Sequence, residues 1–598
     1  MSRLLPPQHA TPLPSLTEHP ALRDVGPRPP TVSEVFIEGL RSMGLQHAFG
    51  IMGGAVVPFH GALERSPVGV FNCRHESGAV FAALEASVTS DAPALAYTTT
   101  GPGLTNALTG AITARWEGAK LLLVSGYTPA VHRGRFAMQE SNGHALASEL
   151  YLSRGMFDYA LALEDPAELP QVMRALVRGF ANPRGFVAHI AMPLAVQSSP
   201  APTKLAMTLP AVEVSANSAT LSEVVHRLAD PFAIWVGWGA RHASKRVREL
   251  VERTGAPVLT TPRGKGIFPE DHPRHLGVSG IFGGHEDLAE RLAAEGVERL
   301  LVLGSRLGEV SSGYDERLIP PGGLIHVDLD PAVPGAAFPE AETLVVQAEI
   351  DGFLKNLLER IEGDPSASRS MMRVQALDIL RTREAHPRPS PPKLVPRDPD
   401  SSEAVRPQYL LQCIQERVVE GSQSVILAES GNSFAWTANL LRFREPMRYR
   451  QSGLFCPMGH VCAGAIGAAA ATGRRAVALV GDGAFLMQNE ISTAARTGAN
   501  VTWIVLNDAR FGMIDQGLHA LGKPPSDVHF PEVDFLAVAT AMGADGARVT
   551  RESQVQNALE WAMNGRGPFV LDVVIDTHER APFGRRVLAV NDQSQGAP

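Results

Sequence analysis

The sequence predicts an α/β protein built from three doubly wound parallel-sheet domains. Three observations carry that prediction. Short runs rich in Val, Ile, Leu and Ala alternate with helix-length patterns along the chain, as expected for parallel strands covered by helices on both faces. The 598 residues exceed what one core organises and suggest roughly three or four domains of about 150 residues each. Two proline-rich polar stretches, "SSPAPTKLAMTLPA" and "RTREAHPRPSPPKLVPRDPDSSEAVRP", punctuate the pattern.

Taken in order, residues 1–30 are proline-rich and without strand or helix periodicity, which predicts a disordered or loosely docked arm. "TVSEVFIEGLRSMGLQHAFGI" reads as an amphipathic helix followed by a strand and opens a first domain, 31–198. A second domain spans 212–362, with strands at "FAIWVGWG", "APVLTT", "RLLVLGS" and "LIHVDLD". Residues 381–407 form a linker, 408–578 a third domain, and 579–598 a polar tail. The formal net charge of -8 argues against a general nucleic-acid binder. The four cysteines, Cys73, Cys413, Cys456 and Cys462, lack zinc-ligand spacing and point to a reducing compartment. The N-terminus lacks a signal-peptide core, and no apolar run approaches the ~20 residues of a membrane span. A cytoplasmic enzyme is the expectation.

The chemistry is concentrated in "VALVGDGAFLMQNEISTAARTGANVTWIVLNDARFGM", residues 477–513. One apolar strand stops at Gly481-Asp482-Gly483. A helical pattern follows and ends at Gly498, a helix C-cap in this reading. The next strand, "NVTWIVLN", stops at Asn507. A right-handed crossover places the two strands close together, so Asp482 and Asn507 share one end of one sheet, where ligands of such sheets bind. A carboxylate and an amide oxygen suit a hard cation such as Mg2+ held together with substrate phosphates. The turn at Gly483 opens a helix, whose N-terminus favours phosphate. A Gly-Asp-Gly turn alone is common; the Asn after one helix and one strand makes a Mg2+-diphosphate site the stronger reading.

That pattern resembles the cofactor signature of thiamine diphosphate (ThDP) enzymes. The resemblance implies that Asp482, Asn507 and the Ala509 backbone carbonyl hold Mg2+, with Gly481, Gly483 and Ala484 along the cofactor. It extends through the chain. "VGVFNCRHESGAVFAALEASV" resembles the "RHE" segment of the acetolactate-synthase branch, so Glu76 falls on the Glu that shares a proton with the cofactor's pyrimidine; capping of a helix by Arg74 and Glu76 is the alternative. "FGIMGGAVVPFHGAL" resembles the family's Gly-Gly loop, here Gly53-Gly54, and "FAMQES" its segment with Gln139 near the reacting centre. "CPMGHVCAGAIGAAAA" resembles the segment whose Met, here Met458, bends the cofactor. In "VLGSRLGEV", Arg306 falls where the branch is expected to hold the carboxylate of a second substrate, as a guanidinium does well. The implied architecture is a pyrimidine-binding domain, a central Rossmann-like domain and a diphosphate-binding domain. The Glu and the diphosphate site come from different subunits in relatives, so a homodimer or homotetramer is implied.

The chain also departs from that branch. "GMIDQGLHA" carries Met513 and has Gly517 in place of the Trp that helps select the acceptor. Tyr127 replaces a Gln, Met138 a Phe, and His460 an aromatic residue after the Met wedge; His460 is either a proton shuttle beside the substrate or a packing histidine. "WVGWGARHA" interrupts a glycine run with Trp238, and "GSRLGEV" lacks paired acids, so FAD is not favoured. The expected activity is a Mg2+-dependent carboligase: a 2-oxo acid loses CO2 and its acyl carbanion equivalent passes to a second carbonyl, giving an acyloin or 2-hydroxy-3-oxo acid. The substrates are expected to differ from those of acetolactate synthases, with larger 2-oxo acids the first candidates. A 2-oxo-acid decarboxylase releasing an aldehyde and a non-catalytic ThDP-binding scaffold are the alternatives.

Overall fold

The structure is a computed structural model and describes residues 28–202, 207–210, 213–283, 287–363, 394–398, 401–487, 489–524 and 526–582. The expected arm up to residue 27, most of the linker's first half and the tail beyond 582 lie outside the described residues.

Three six-stranded sheets form, and every strand pairing within them is parallel. The first contains β1 (His47–Gly50), β2 (Gly69–Asn72), β3 (Ala94–Thr98), β4 (Lys120–Tyr127), β5 (Tyr159–Ala162) and β6 (Phe186–Pro193), in the order β2-β1-β3-β4-β6-β5. The second contains β7 (Phe232–Val236), β8 (Val258–Thr260), β9 (His275–Val278), β10 (Arg299–Leu303), β11 (Leu324–Asp328) and β12 (Thr343–Gln347), in the order β12-β11-β10-β7-β8-β9. The third contains β13 (Val425–Ala428), β14 (Tyr449–Gln451), β15 (Ala476–Gly481), β16 (Val501–Asn507), β17 (Asp545–Val549) and β18 (Phe569–Val574), in the order β14-β13-β15-β16-β18-β17. The outer sheets therefore share one topology. The central sheet is wound in opposite directions from its β10/β7 pair, the strand order of dinucleotide-binding folds.

The first ordered element shows how locally the sequence acts. Thr31 and Glu34 form a capping box that starts the helix Val32–Ser42, whose Val35, Phe36 and Leu40 face the core. The pattern expected as one helix after β15 is instead two pieces, Asp482–Phe485 and Ile491–Thr497. The break lets the buried Glu490 turn toward the first domain, where its Oε1 accepts from the Arg74 and His75 backbone N–H groups at 2.9 Å each. Gly498 ends the second piece with φ +64°, as a C-cap.

The outer domains share one core. Helix Glu76–Ser90, which follows β2, packs along helix His460–Thr472, which follows β14 and so occupies the same place in the other sheet. Ala82, Ala83 and Ala86 meet Val461, Ala465 and Ala469 there. Close approach rests on missing side chains: a Cβ at Gly467 would collide with the Ala82 carbonyl oxygen, and one at Gly464 would lie 2.7 Å from the Glu85 Cγ. Gly467→Val is expected to destabilise the protein by roughly 1–3 kcal/mol through overpacking. Thermal melting by circular dichroism checks this; an unchanged midpoint would mean the helix pair separates at no cost. Among the described residues no helix is long and apolar enough to cross a membrane.

Candidate functional site

β15 ends at Gly481, and Asp482 opens the short helix that leaves the sheet. Its carboxylate turns back over the neighbouring strand end. Oδ1 accepts from Gly483 N–H at 2.7 Å, while Oδ2 accepts from Asp508 N–H at 3.0 Å and Ala509 N–H at 2.6 Å. Ala509 reaches this position with φ +53°. The Asp482 carboxylate thus ties the ends of β15 and β16 together.

Above these groups lies a cavity of about 290 Å3. Its floor is Gly481, Asp482, Gly483, Ala484 and Asp508. One wall is Gly431 with the start of helix Asn432–Leu440, another is Met458 with Met513 and Ile514, and Phe282 and Val310 of the central domain close the side. Two glycines are required for shape. A Cβ at Gly483 would lie 2.8 Å from the Phe511 ring, and one at Gly512 would lie 2.6 Å from Asp508 Oδ2. Met458 is 42% exposed on this wall.

The structure corrects the expected cation ligands by one residue. The Asn507 side chain points away from the cavity; its Nδ2 donates to Asp572 Oδ1 at 2.8 Å and Val533 O at 3.0 Å. Asp508 lines the cavity instead. In register, Asn507 lies level with Asp482, since Gly481 pairs with Leu506. Alternation fails to predict the facing side chain because Asp482 has already left the sheet for a helix. The Ala509 carbonyl, expected as a third ligand, accepts from Phe530 N–H at 3.1 Å.

Two carboxylates therefore converge. Burial first, and then the neighbouring Asp508 charge, push Asp482 up to about 7. Burial pushes Asp508 up to about 6 against the opposing pull of Arg510. Two buried acids that repel one another suit a hard divalent cation, which holds both ionised. The N-terminus of helix Asn432–Leu440 and the turn at Gly483 suit a phosphate beside that cation. The residues present thus fit Mg2+ with a diphosphate.

The sign of the pH dependence follows. Both folded-state values lie above the ordinary 3.8, so the native cation-free chain holds these protons more tightly than the unfolded chain. The stability they contribute is present below about pH 4 and is lost as pH rises through about 6 to 7. A bound cation removes that loss. Mg2+ with thiamine diphosphate is expected to raise the melting temperature more at about pH 8 than at about pH 5. Calorimetric scans at both pH values check this; an equal shift at both would exclude these two acids as the cation's ligands.

The other expected residues fall in separate places. Glu76 is the first residue of its helix and accepts from Asn106 Nδ2 at 3.1 Å. Glu490, which no sequence signal singled out, fixes the backbone just before it. Gln139 has φ +56° and lies 3.4 Å from the Thr100 hydroxyl; Gly53 packs on Thr99. Glu76, Gln139, Gly53 and Gly54 form a cluster on the first domain, and none lines the cavity over Asp482. Within one chain the two halves of the expected site are not brought together.

Three residues expected as substrate contacts lie away from this cavity within one chain. His460 is fully buried, with Nδ1 3.1 Å from the Ser452 hydroxyl and Nε2 3.1 Å from Glu85. Arg306 donates to the Trp116 carbonyl at 3.1 Å and faces a different cavity, between the first and central domains. Gly517 lies on helix Gly512–Ala520 and does not line the cavity, whereas Met513 does. His460 belongs to an ionic network across all three domains. Arg450 pairs with Glu85 at 2.8 Å, and Arg263 pairs with Glu117 at 2.8 Å. Burial would raise the Glu85 carboxyl, but Arg450 and His460 hold it well below the usual range. The guanidinium groups of Arg241, Arg263 and Arg450 stand 5.3, 5.2 and 4.8 Å from the Trp238 ring.

Trp238 also lines a second cavity. The cavity that Arg306 faces lies at the carboxyl ends of β7, β10 and β11, where this sheet order binds nucleotides. Trp238, Arg241 and Arg263 line it, and it encloses about 180 Å3.

Comparison with known proteins agrees with the fold. Three models of one family match in chain order: the N-terminal TPP binding domain of thiamine pyrophosphate enzymes at residues 30–146, the central domain at 223–357, and the C-terminal TPP binding domain at 429–573. The chain is 27% identical over 572 residues to the acetolactate synthase isozyme 1 large subunit of Escherichia coli, covering 92% of this chain and 95% of that one. A probable acetolactate synthase large subunit of Methanocaldococcus jannaschii is 27% identical, with 92% and 93% covered. A probable chloroplastic acetolactate synthase 2 of Oryza sativa subsp. japonica is 28% identical, with 92% and 83% covered. The chain belongs to the thiamine pyrophosphate enzymes, as a divergent member similar to the acetolactate synthases.

Proposed function

We propose that this enzyme is a ThDP- and Mg2+-dependent carboligase, a transferase that joins the acyl part of a decarboxylated 2-oxo acid to a second carbonyl compound. The observation that carries the proposal is the convergence of Asp482 and Asp508 on a cavity walled by Met458. Asp482 and Asp508 would hold the cation, the start of helix Asn432–Leu440 would take the diphosphate, and Met458 would pack on the cofactor. ThDP, when bound, supplies the electron sink that lets a 2-oxo acid lose CO2. Glu76, oriented by Asn106, would hold or release a proton at its carboxylate toward the bound cofactor.

Glu76 reaches a cavity only if a second copy provides it, so the working unit in this reading is a homodimer or a tetramer of such dimers. Exposed apolar side chains support this. Phe136 is 99% and Met138 90% exposed near Gln139, while Phe455, Met487 and Ile514 are exposed around the cavity. A facing copy would cover both sets.

The test is mass spectrometry of products from purified protein with ThDP, Mg2+ and a panel of 2-oxo acids, alone and with added carbonyl compounds. A coupled product with loss of one CO2 is expected. Aldehyde alone would favour simple decarboxylation, and no turnover of any acid would remove the carboligase reading.

A further inference from the structure

The cavity's charges are few. Among its described lining residues the charged side chains are Asp482, Asp508 and Arg510. Arg510 is engaged: Nη1 donates to Asp515 at 2.8 Å, Nε to Asp508 at 3.3 Å, and Nη2 to the Thr577 carbonyl at 3.4 Å. The guanidinium expected to hold a substrate carboxylate, Arg306, faces the other cavity. The central domain's contribution here is apolar. Phe282 packs against Phe434 with ring centres 4.6 Å apart and planes tilted by 57°, and Val310 lines the same side. Phe511, Met513 and Ile514 continue the apolar wall.

The first-domain cluster adds little cationic charge. Gln139 and Asn106 are neutral. Arg74 donates to Ser492 Oγ at 2.9 Å and the Asn72 carbonyl at 2.6 Å, and Arg133 pairs with Glu164. Arg135, on the loop before Gln139, donates to the Val131 carbonyl and is exposed.

We infer that the acceptor is a neutral, apolar aldehyde or ketone rather than a second 2-oxo acid. This rests on the carboligase reading above. An acceptor carboxylate would be desolvated against Phe282 and Val310 without a cation to pair it, while an alkyl or aryl group gains by burial there. In the step, the bond between the donor's carbonyl and carboxyl carbons breaks, the carboxylate leaves as CO2, and the electron pair stays on the former carbonyl carbon. The electron pair forms a carbon–carbon bond to the acceptor carbonyl carbon, and the acceptor oxygen takes one proton. The product is an acyloin, and no oxidant or reductant is consumed.

The experiment uses the full-length protein with ThDP, Mg2+ and pyruvate labelled at its carbonyl carbon. Propanal, benzaldehyde and 2-oxobutanoate compete as acceptors, with CO2 release and coupled products both measured. 2-Oxobutanoate is propanal's counterpart with a carboxylate added. Coupling to an aldehyde is expected to exceed coupling to 2-oxobutanoate by about 100-fold in kcat/KM. Val310→Arg is expected to narrow that ratio. Preferred coupling to 2-oxobutanoate would overturn the inference and leave the carboligase reading intact; loss of that preference in Arg135→Ala would then identify the missed cation. Absence of CO2 release and coupling with every donor tried in place of pyruvate would overturn both.

Discussion

Asp508→Ala is expected to weaken Mg2+-dependent ThDP binding by about 100-fold, at the upper end of losses from altering a metal site. Asn507→Ala is expected to leave that affinity within a few-fold and to lower stability instead. The contrast follows from one residue's difference in direction. Asp508 faces the cavity, whereas Asn507 donates to the buried Asp572 and to Val533. Removing the Asn507 amide leaves Asp572 short of a donor, a loss of about 1–3 kcal/mol. Isothermal titration of ThDP with and without Mg2+, beside thermal melting, separates the two effects. Equal loss of affinity in both variants would return Asn507 to the cation site.

Glu76→Gln is expected to lower turnover by about 10²–10⁴-fold, the range for removing one proton-transfer group. Cofactor affinity should change little, because the cation and diphosphate end lies on the third domain. Asn106→Ala should reduce turnover less, since the Asn106 side chain donates to the Glu76 carboxylate at 3.1 Å and only orients it. Steady-state kinetics with ThDP titrations check both. Full activity in Glu76→Gln would remove this residue from the chemistry and with it the two-copy site.

The success and failure of the sequence reading have physical causes. The strand ends at Gly481 and Asn507 were legible because apolar runs stop abruptly at glycine and polar residues. Asp482 was legible because its partners are backbone groups fixed by a neighbouring strand. Asp508 was missed because side-chain alternation stops where the chain leaves the sheet. His460 and Arg306 were assigned by position in a motif, yet Glu85 and Trp116, on another domain, set their directions. Val310 and Phe282 gave no signal, since their approach to the third domain depends on how the central domain packs. The helical period after β15 hid a break that exists because Glu490 binds the first domain's backbone.

The matching helices that join the outer domains have a kinetic consequence. Helices from equivalent places in two sheets of the same topology already use the pseudo-twofold contact available inside one chain. In the carboligase reading, the faces left over are unlike: one carries the proton-transfer group, the other the cation pair. A solitary chain then owns two half-sites and no complete one, while each pair of chains owns two. Specific activity should collapse on dilution as the square of protomer concentration governs assembly, and mixing a Glu76 variant with an Asp482 variant should restore part of it.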